Sequence, residues 1–194
     1  MRIPIFPLNA VLFPDGPLPL RIFESRYIDM VSERMKSDEP FGILLMRADH
    51  DASQSSTYKV GTLAKITDFY QGSDGLLGIT AKGGQRFRLI SSERQKNGLN
   101  VGEIELIEAE RSFALPSEFE FLPKMLANVL EEFGRLYEAQ DNRYDDAVWV
   151  SYRFLEILPI DLRQKQTSLE DSDTIARLNL VVEQLDSVRG PASH

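Results

Sequence analysis

The sequence contains no cysteine and only two histidines among its 194 residues. Without cysteine there can be no disulfide framework, no thiolate metal site and no cysteine nucleophile. The two histidines, His50 and His194, lie far apart in the sequence, and one of them is the last residue. We therefore expect no metal site and no cofactor.

The motifs of common enzymes are also missing. No Gly-Lys dipeptide occurs, which excludes the phosphate-binding loop of P-loop nucleotidases, and the G-x-S-x-G motif of serine hydrolases is absent. The glycines Gly72, Gly75 and Gly78 form the nearest cluster, but they fall in a predicted hairpin, where a tight turn explains them. The sequence therefore predicts a protein that is not an enzyme.

Long apolar segments are lacking as well. The longest uncharged apolar run, Phe41 to Met46, is far shorter than the roughly 20 residues that cross a membrane. Pro4 and Pro7 interrupt the apolar N-terminus, which makes it unlike a secretory signal. We expect a soluble, cytoplasmic protein without a membrane partner.

The net charge of −8 is distributed unevenly along the chain. Residues 1–100 carry 13 Lys and Arg against 11 Asp and Glu, whereas residues 101–194 carry 9 against 19. A sequence pI near 4.9 argues against extensive nucleic-acid binding, which requires clustered cations. Only small basic patches in the first half are compatible with this charge.

The first half reads as short strands with one inserted helix. Apolar residues Ile28, Val31 and Met35 recur at helical spacing and predict an amphipathic helix over 25–37. Around it, strands are predicted at 2–8, 18–23, 41–48, 60–70, 76–81, 85–89 and 101–110, with Gly83 and Gly84 ending the fifth. The polar stretch 49–57 predicts a loop.

The second half reads as helical from Pro116 onward. Ser117 and Glu120 have the spacing of a capping box, and further helices are predicted to begin after Asp145, Asp161 and Asp173. The last of these helices has an expected inner face of Ile175, Leu178, Val182 and Leu185. The order of elements predicts an α+β protein with a β-rich lobe at 1–112 and a helical lobe at 113–194.

Two groups of side chains are candidates for binding. Arg86 and Arg88 are two apart on a predicted strand and so share a face, with Arg94 and Lys96 close by. These four residues form the best candidate for a phosphate-contacting patch; the alternative, a solvated strand face, is favoured by the sequence.

The second group lies where a strand leads into the first helix. Arg21, Glu24, Arg26 and Tyr27 could line a groove there, or Glu24 could simply hold the junction together through a hydrogen bond. The sequence leaves both readings open.

Three separated blocks resemble the amino-terminal domain of Lon proteases. The first runs from Pro4 to Pro14 and on through 18–27; the second comprises 60–66, Asp74-Gly75 and 84–88. The third comprises Leu158-Pro159, Lys165-Gln166, Leu169-Glu170 and 176–178. Together they cover nearly the whole chain in the family's order.

The resemblance implies a PUA-like β-barrel lobe with an inserted helix, followed by a helical bundle. It also implies a stand-alone, non-catalytic module that binds unfolded or tagged protein segments and works with a protease or chaperone. The peptide-binding residues would then be Arg21, Glu24, Arg26 and Tyr27. Because PUA-like folds also bind RNA or nucleotides, the patch of Arg86, Arg88, Arg94 and Lys96 is the alternative site.

Overall fold

A computed structural model describes residues 1–48, 56–72, 75–138 and 141–189 of the chain. The chain divides into two compact units, Met1–Ala109 and Glu110–His194. A six-stranded sheet with one helix lies in the first unit, and helices make up the second, which confirms an α+β protein. Most of the predicted loop at 49–57, the tip of the turn at 73–74 and both histidines lie outside the described residues.

The sheet of the first unit is mostly antiparallel. Its strand order is β2-β5-β4-β3-β1-β6, β1 and β3 are parallel, and β5 also pairs with β6. Strands β1, β3, β4, β5 and β6 therefore form a closed cycle of pairings, and β2 pairs with β5 outside it. The strands span Arg2–Leu8 (β1), Pro17–Ile22 (β2), Phe41–Leu45 (β3), Val60–Gln71 (β4), Leu77–Arg94 (β5) and Asn100–Leu106 (β6).

The prediction that Gly83 and Gly84 end a strand is wrong, because β5 continues through them for 18 residues. Gly83 instead marks a close approach between two segments. Its N–H donates to Gly16 O at 2.8 Å, and its own carbonyl accepts the N–H of Asp15 at 2.9 Å. A Cβ on Gly83 would collide with the carbonyl oxygen of Phe13. Because glycine has no side chain, the turn before β2 can contact the backbone of β5 directly.

Helix α1 spans Ser25–Ser37, as the periodicity predicts. It buries Tyr27, Met30 and Val31, whereas Ile28 and Met35 remain 41% and 39% exposed. The predicted inner face is therefore wrong at two of its three positions, because the helix is turned so that Tyr27 reaches the core. The α1 side chains pack into a cluster with Phe6, Leu12, Ile22, Phe41, Ile43, Ala64, Ile79, Ala81 and Leu99.

The second unit is helical. Helix α4 contacts α2, α5 and α6. The elements span Ser117–Phe119 (a 3-10 turn), Leu122–Glu132 (α2), Arg135–Glu138 (α3), Ala147–Ile157 (α4), Leu162–Glu170 (α5) and Thr174–Arg189 (α6).

Helix capping in this unit confirms part of the prediction. The carboxylates of Asp161 and Asp173 accept N–H groups of the first turns of α5 and α6 at 2.8 and 2.9 Å. The cap of α4 is Asp146 rather than Asp145, with its carboxylate accepting the N–H of Val148 at 3.0 Å. The predicted capping box is wrong: Ser117 starts the 3-10 turn, and no side chain caps α2.

A buried ionic network ties α6 to the start of the second unit. Arg177 is 2% exposed, and its guanidinium pairs with Glu110 and donates to the carbonyl of Asp171 at 2.9 Å. Its Nη2 also donates to Thr174 Oγ1 at 2.8 Å. The predicted inner face of α6 is wrong in this turn, because Arg177 points inward while Ile175 is 37% exposed.

A second buried pair lies between α3, α4 and α5. Arg153 Nε lies 3.0 Å from Glu156 Oε2, and Tyr137 hydrogen-bonds to the same carboxylate. Lys165 Nζ donates to the backbone carbonyl of Glu156 at 2.8 Å. Burial raises the pKa of Glu156 to about 7, despite the opposing effects of Arg153, Tyr137 and Lys165. Desolvation of the carboxylate therefore outweighs its favourable contacts.

We expect Gly61→Ala to destabilise the first unit by about 1–3 kcal/mol, because the new Cβ would collide with the carbonyl oxygen of Ile43 across the β3–β4 pair. Gly84→Ala is the matched control, since its Cβ would meet nothing closer than 3.6 Å. Urea unfolding monitored by circular dichroism measures both. Equal midpoints for the two variants would contradict the close approach at Gly61.

We expect the charge of Glu156 to make the protein less stable as the pH rises. Because the folded pKa, about 7, lies above its ordinary value of 4.5, folded Glu156 keeps a proton that the unfolded chain releases in this interval. The free energy of unfolding should then fall by up to about 3 kcal/mol between pH 4.5 and 7, relative to Glu156→Gln at each pH. A difference between the two proteins that stays constant with pH would contradict the raised pKa.

Candidate functional site

The strand-to-helix junction in the first unit holds one of the two predicted groups. Arg21 lies at the exposed end of β2, and Glu24 precedes the first turn of α1. Tyr27 is only 6% exposed, and its ring stacks on Phe6 with 4.0 Å between the centroids. Tyr27 is therefore a core residue, unlike the groove-lining side chain that the sequence suggests.

Arg26 links three parts of the first unit. Its Nη2 lies 2.6 Å from Glu24 Oε2, and its Nη1 donates to the carbonyl of Gly98 at 2.7 Å, in the turn between β5 and β6. The guanidinium carbon also lies 4.8 Å from the centroid of the Tyr27 ring. Burial raises the pKa of Tyr27, and the positive charge of Arg26 opposes that shift. Arg26 thus fastens the start of α1 to this turn.

Two exposed apolar side chains at the junction were missed by the sequence reading. Phe23, between β2 and α1, is 69% exposed, and Ile28 in α1 is 41% exposed. The sequence signal that could have indicated the exposure of Phe23 is its position among charged residues, just after the last buried residue of β2. We call Arg21, Phe23, Glu24, Arg26 and Ile28 the junction surface. It offers an uncovered aromatic ring next to groups of both charges, a combination suited to polypeptide binding.

The structure brings together residues from the two predicted groups. Arg94 ends β5, and the turn that follows contains Gly98, whose φ is +85°. A Cβ on Gly98 would lie 3.3 Å from Arg26 Nη1 and 3.6 Å from Arg94 Nη2. The two guanidinium groups therefore converge on one turn, although 68 positions separate them in the sequence.

The predicted basic patch on β5 does not form as a single exposed surface. Arg86 is only 3% exposed, and neighbouring Phe87 is also buried, because this part of β5 pairs with strands on both sides. Arg88 is exposed but lies opposite the acidic Glu105 of β6. The prediction that Arg86 contributes to an exposed patch is wrong.

Two of the open strand edges in the described part of the first unit carry features that disfavour an added strand. One is the outer edge of β2, where Pro17 and Pro19 lack the N–H that a further strand would need. The other is the outer edge of β4 beyond Ala64, where pairing with β3 ends. There a register shift interrupts the strand next to Asp68, whose carboxylate accepts the N–H of Phe69 at 2.8 Å. Both edges are poor templates for an added strand.

A cleft of about 190 Å³ lies beside this second edge, between the end of α1 and β4. Four of its five charged residues are paired with one another, and the fifth, Asp68, accepts a backbone N–H. Arg34 Nη1 lies 2.7 Å from Glu39 Oε2, and Lys65 Nζ lies 2.8 Å from Asp38 Oδ2. The cleft therefore has little uncompensated charge to offer a ligand, in contrast to the turn at Gly98.

The described ranges contain neither a metal-binding cluster nor a membrane-spanning helix. No group of three or more His, Asp or Glu side chains there is arranged to hold a metal ion. No helix in the same ranges has the length and apolar character needed to cross a membrane.

The fold is shared with solved N-terminal domains of Lon. A Lon N-terminal domain protein from Xanthomonas campestris has 31% sequence identity and a TM-score of 0.75, covering 94% of this chain and 98% of that one. The N-terminal domain of a Mycobacterium avium complex Lon protease has a TM-score of 0.64 at 14% identity, covering 95% and 97%. The second likeness concerns the fold alone.

The sequence defines the family. Residues 2–187 match the model of the ATP-dependent protease La (LON) substrate-binding domain, and the chain belongs to this family. Lon protease 1 of Bdellovibrio bacteriovorus is 32% identical over 188 residues, which are 91% of this chain. The chain spans about a fifth of that relative's length and about a quarter of Lon protease 2 of Myxococcus xanthus.

We expect Arg26→Ala to lower the free energy of unfolding by about 1–2 kcal/mol, because it removes the bond to Gly98 and the contacts with Glu24 and Tyr27. Arg94→Ala should change it by less than about 0.5 kcal/mol, since the exposed Arg94 side chain forms no hydrogen bond in the described part of the chain. Urea unfolding compares the two. A neutral Arg26→Ala would show that this side chain does not hold the junction.

Proposed function

We propose that this chain binds exposed polypeptide segments through the junction surface and carries out no chemical step on them. The observation that carries the proposal is Phe23, whose ring is 69% exposed in a protein of the Lon substrate-binding family. When a partner covers an aromatic ring that was exposed to water, the free energy of the system falls, by about 1.5–3 kcal/mol for complete burial.

The surroundings of Phe23 support the same function. Arg21 and Glu24 flank it in the sequence, so that a bound segment would meet a central aromatic ring with charged groups at its rim. Arg26 holds the junction against the β5–β6 turn, which makes the surface rigid before binding. Rigid placement reduces the entropy lost when a flexible segment docks.

The proposal extends to architecture and partners. We infer a PUA-like β-barrel in the first unit, supported by the closed cycle of strand pairings, and a helical bundle in the second, supported by the contacts of α4 with its neighbours. The proposed ligands are unfolded or tagged protein segments. The proposed partner is a protease or chaperone that acts on the captured segment, since the matched part of the Lon proteases is their substrate-binding domain.

A binding experiment with Phe23→Ala tests the function. Reduced, carboxymethylated α-lactalbumin, a permanently unfolded protein, serves as the labelled probe, and folded α-lactalbumin serves as its control. We expect Phe23→Ala to weaken binding of the unfolded probe about tenfold, since about 1.4 kcal/mol of ring burial is lost.

Phe69→Ala is the matched variant, because Phe69 is also a well-exposed phenylalanine of the first unit, 60% exposed, but lies on β4. It should bind the probe as the unchanged protein does. Equal binding of folded and unfolded probe, or an equal loss in the two variants, would contradict binding at the junction surface.

A further inference from the structure

We propose that the junction surface selects polypeptide segments in which a carboxylate accompanies an apolar residue, and that Arg94 is the residue that binds the carboxylate. This inference rests on the proposed function and specifies its ligand. The carboxylate is that of an Asp or Glu side chain within the bound segment.

The geometry that carries the inference is the convergence of Arg26 and Arg94 on the turn at Gly98. Each guanidinium has a nitrogen within 3.6 Å of the point that a Cβ of Gly98 would occupy. The positive charges of both arginines act on Tyr27, which places them around the same part of the first unit. Lys96, in the same turn, is exposed and adds a third cation.

The two arginines differ in what they already bind. Arg26 has used its guanidinium for Glu24 and for the carbonyl of Gly98. The side chain of Arg94 forms no hydrogen bond or ion pair within the described ranges, and it is exposed. Its planar fork of N–H donors is thus available to a carboxylate, which it can bind in a bidentate manner.

The charge around the turn also favours an anion. Glu24 is the acidic partner of Arg26, whereas Arg94 and Lys96 leave positive charge on a chain that is acidic overall. Phe23 is the residue before Glu24, so the exposed ring lies one residue from this charged group. A segment that covers the ring can therefore place a neighbouring carboxylate near the cations. A segment with Lys or Arg at that position is disfavoured, because its charge is repelled by the same cations.

Fluorescence anisotropy with short labelled peptides tests the inference. One peptide contains leucine and aspartate and has an amidated end; the second replaces aspartate by asparagine; the third keeps asparagine but has a free C-terminal carboxylate. We expect the first peptide to bind about two- to fivefold more tightly than the second and the third, as a partly exposed ion pair allows. Tighter binding of the third peptide than of the first would overturn the assignment to a side chain.

Arg94→Gln should abolish this preference while leaving binding of the asparagine peptide unchanged. Arg88→Gln is the control, because it removes the same charge from an exposed position on the same strand and should preserve the preference. The preference should also shrink as the salt concentration rises.

The outcomes separate the two proposals. If all three peptides bind equally, and Phe23→Ala weakens them all, the carboxylate inference fails and the proposed function stands. If none of the peptides binds, both fail. A single-stranded oligonucleotide that displaces the aspartate peptide at lower concentration than unlabelled peptide does would also overturn the inference, in favour of nucleic acid.

Discussion

Strand β5 is the element on which the first unit depends, because within the described ranges it pairs with three other strands, β2, β4 and β6. Such a strand has neighbours along both edges, and a further backbone segment can contact it closely only where a side chain is absent. Gly83 provides one such point, where the turn before β2 contacts the β5 backbone. The same pairing buries Arg86 and ends at Arg94, so β5 also determines which cations reach the surface.

In the second unit, buried charge has the corresponding role. Arg177 and Arg153 are almost inaccessible to water, and each is paired with a carboxylate, from Glu110 and Glu156 respectively. Removing charges from water is costly, so each buried arginine depends on its carboxylate partner. Burial raises the pKa of Glu156 to about 7, because desolvation of its carboxylate exceeds the attraction of Arg153.

The junction surface consists of residues that lie close together in the sequence, and it adjoins a turn far along the chain. Phe23 and Glu24 were adjacent from the start, but only the pairing of β5 with β6 brings Arg94 to the beginning of α1. Arg26 spans the two parts through its bond to Gly98. Arg26, which the sequence alone suggests as a ligand-binding arginine, is thus a structural link, and the cation available to a ligand is Arg94.

The local sequence pattern was sufficient to predict the α+β order of elements, the bounds of α1 and the caps Asp161 and Asp173, because periodicity, turn residues and caps act over a few neighbouring positions. The family resemblance was also visible in the sequence alone. The local pattern failed for Gly83 and for the buried faces of α1 and α6. Those features depend on contacts between distant segments. Whether a tyrosine or an arginine is buried is decided by the partners that packing supplies, which is why Tyr27, Arg86 and Arg177 entered the interior while Phe23 and Arg94 stayed at the surface.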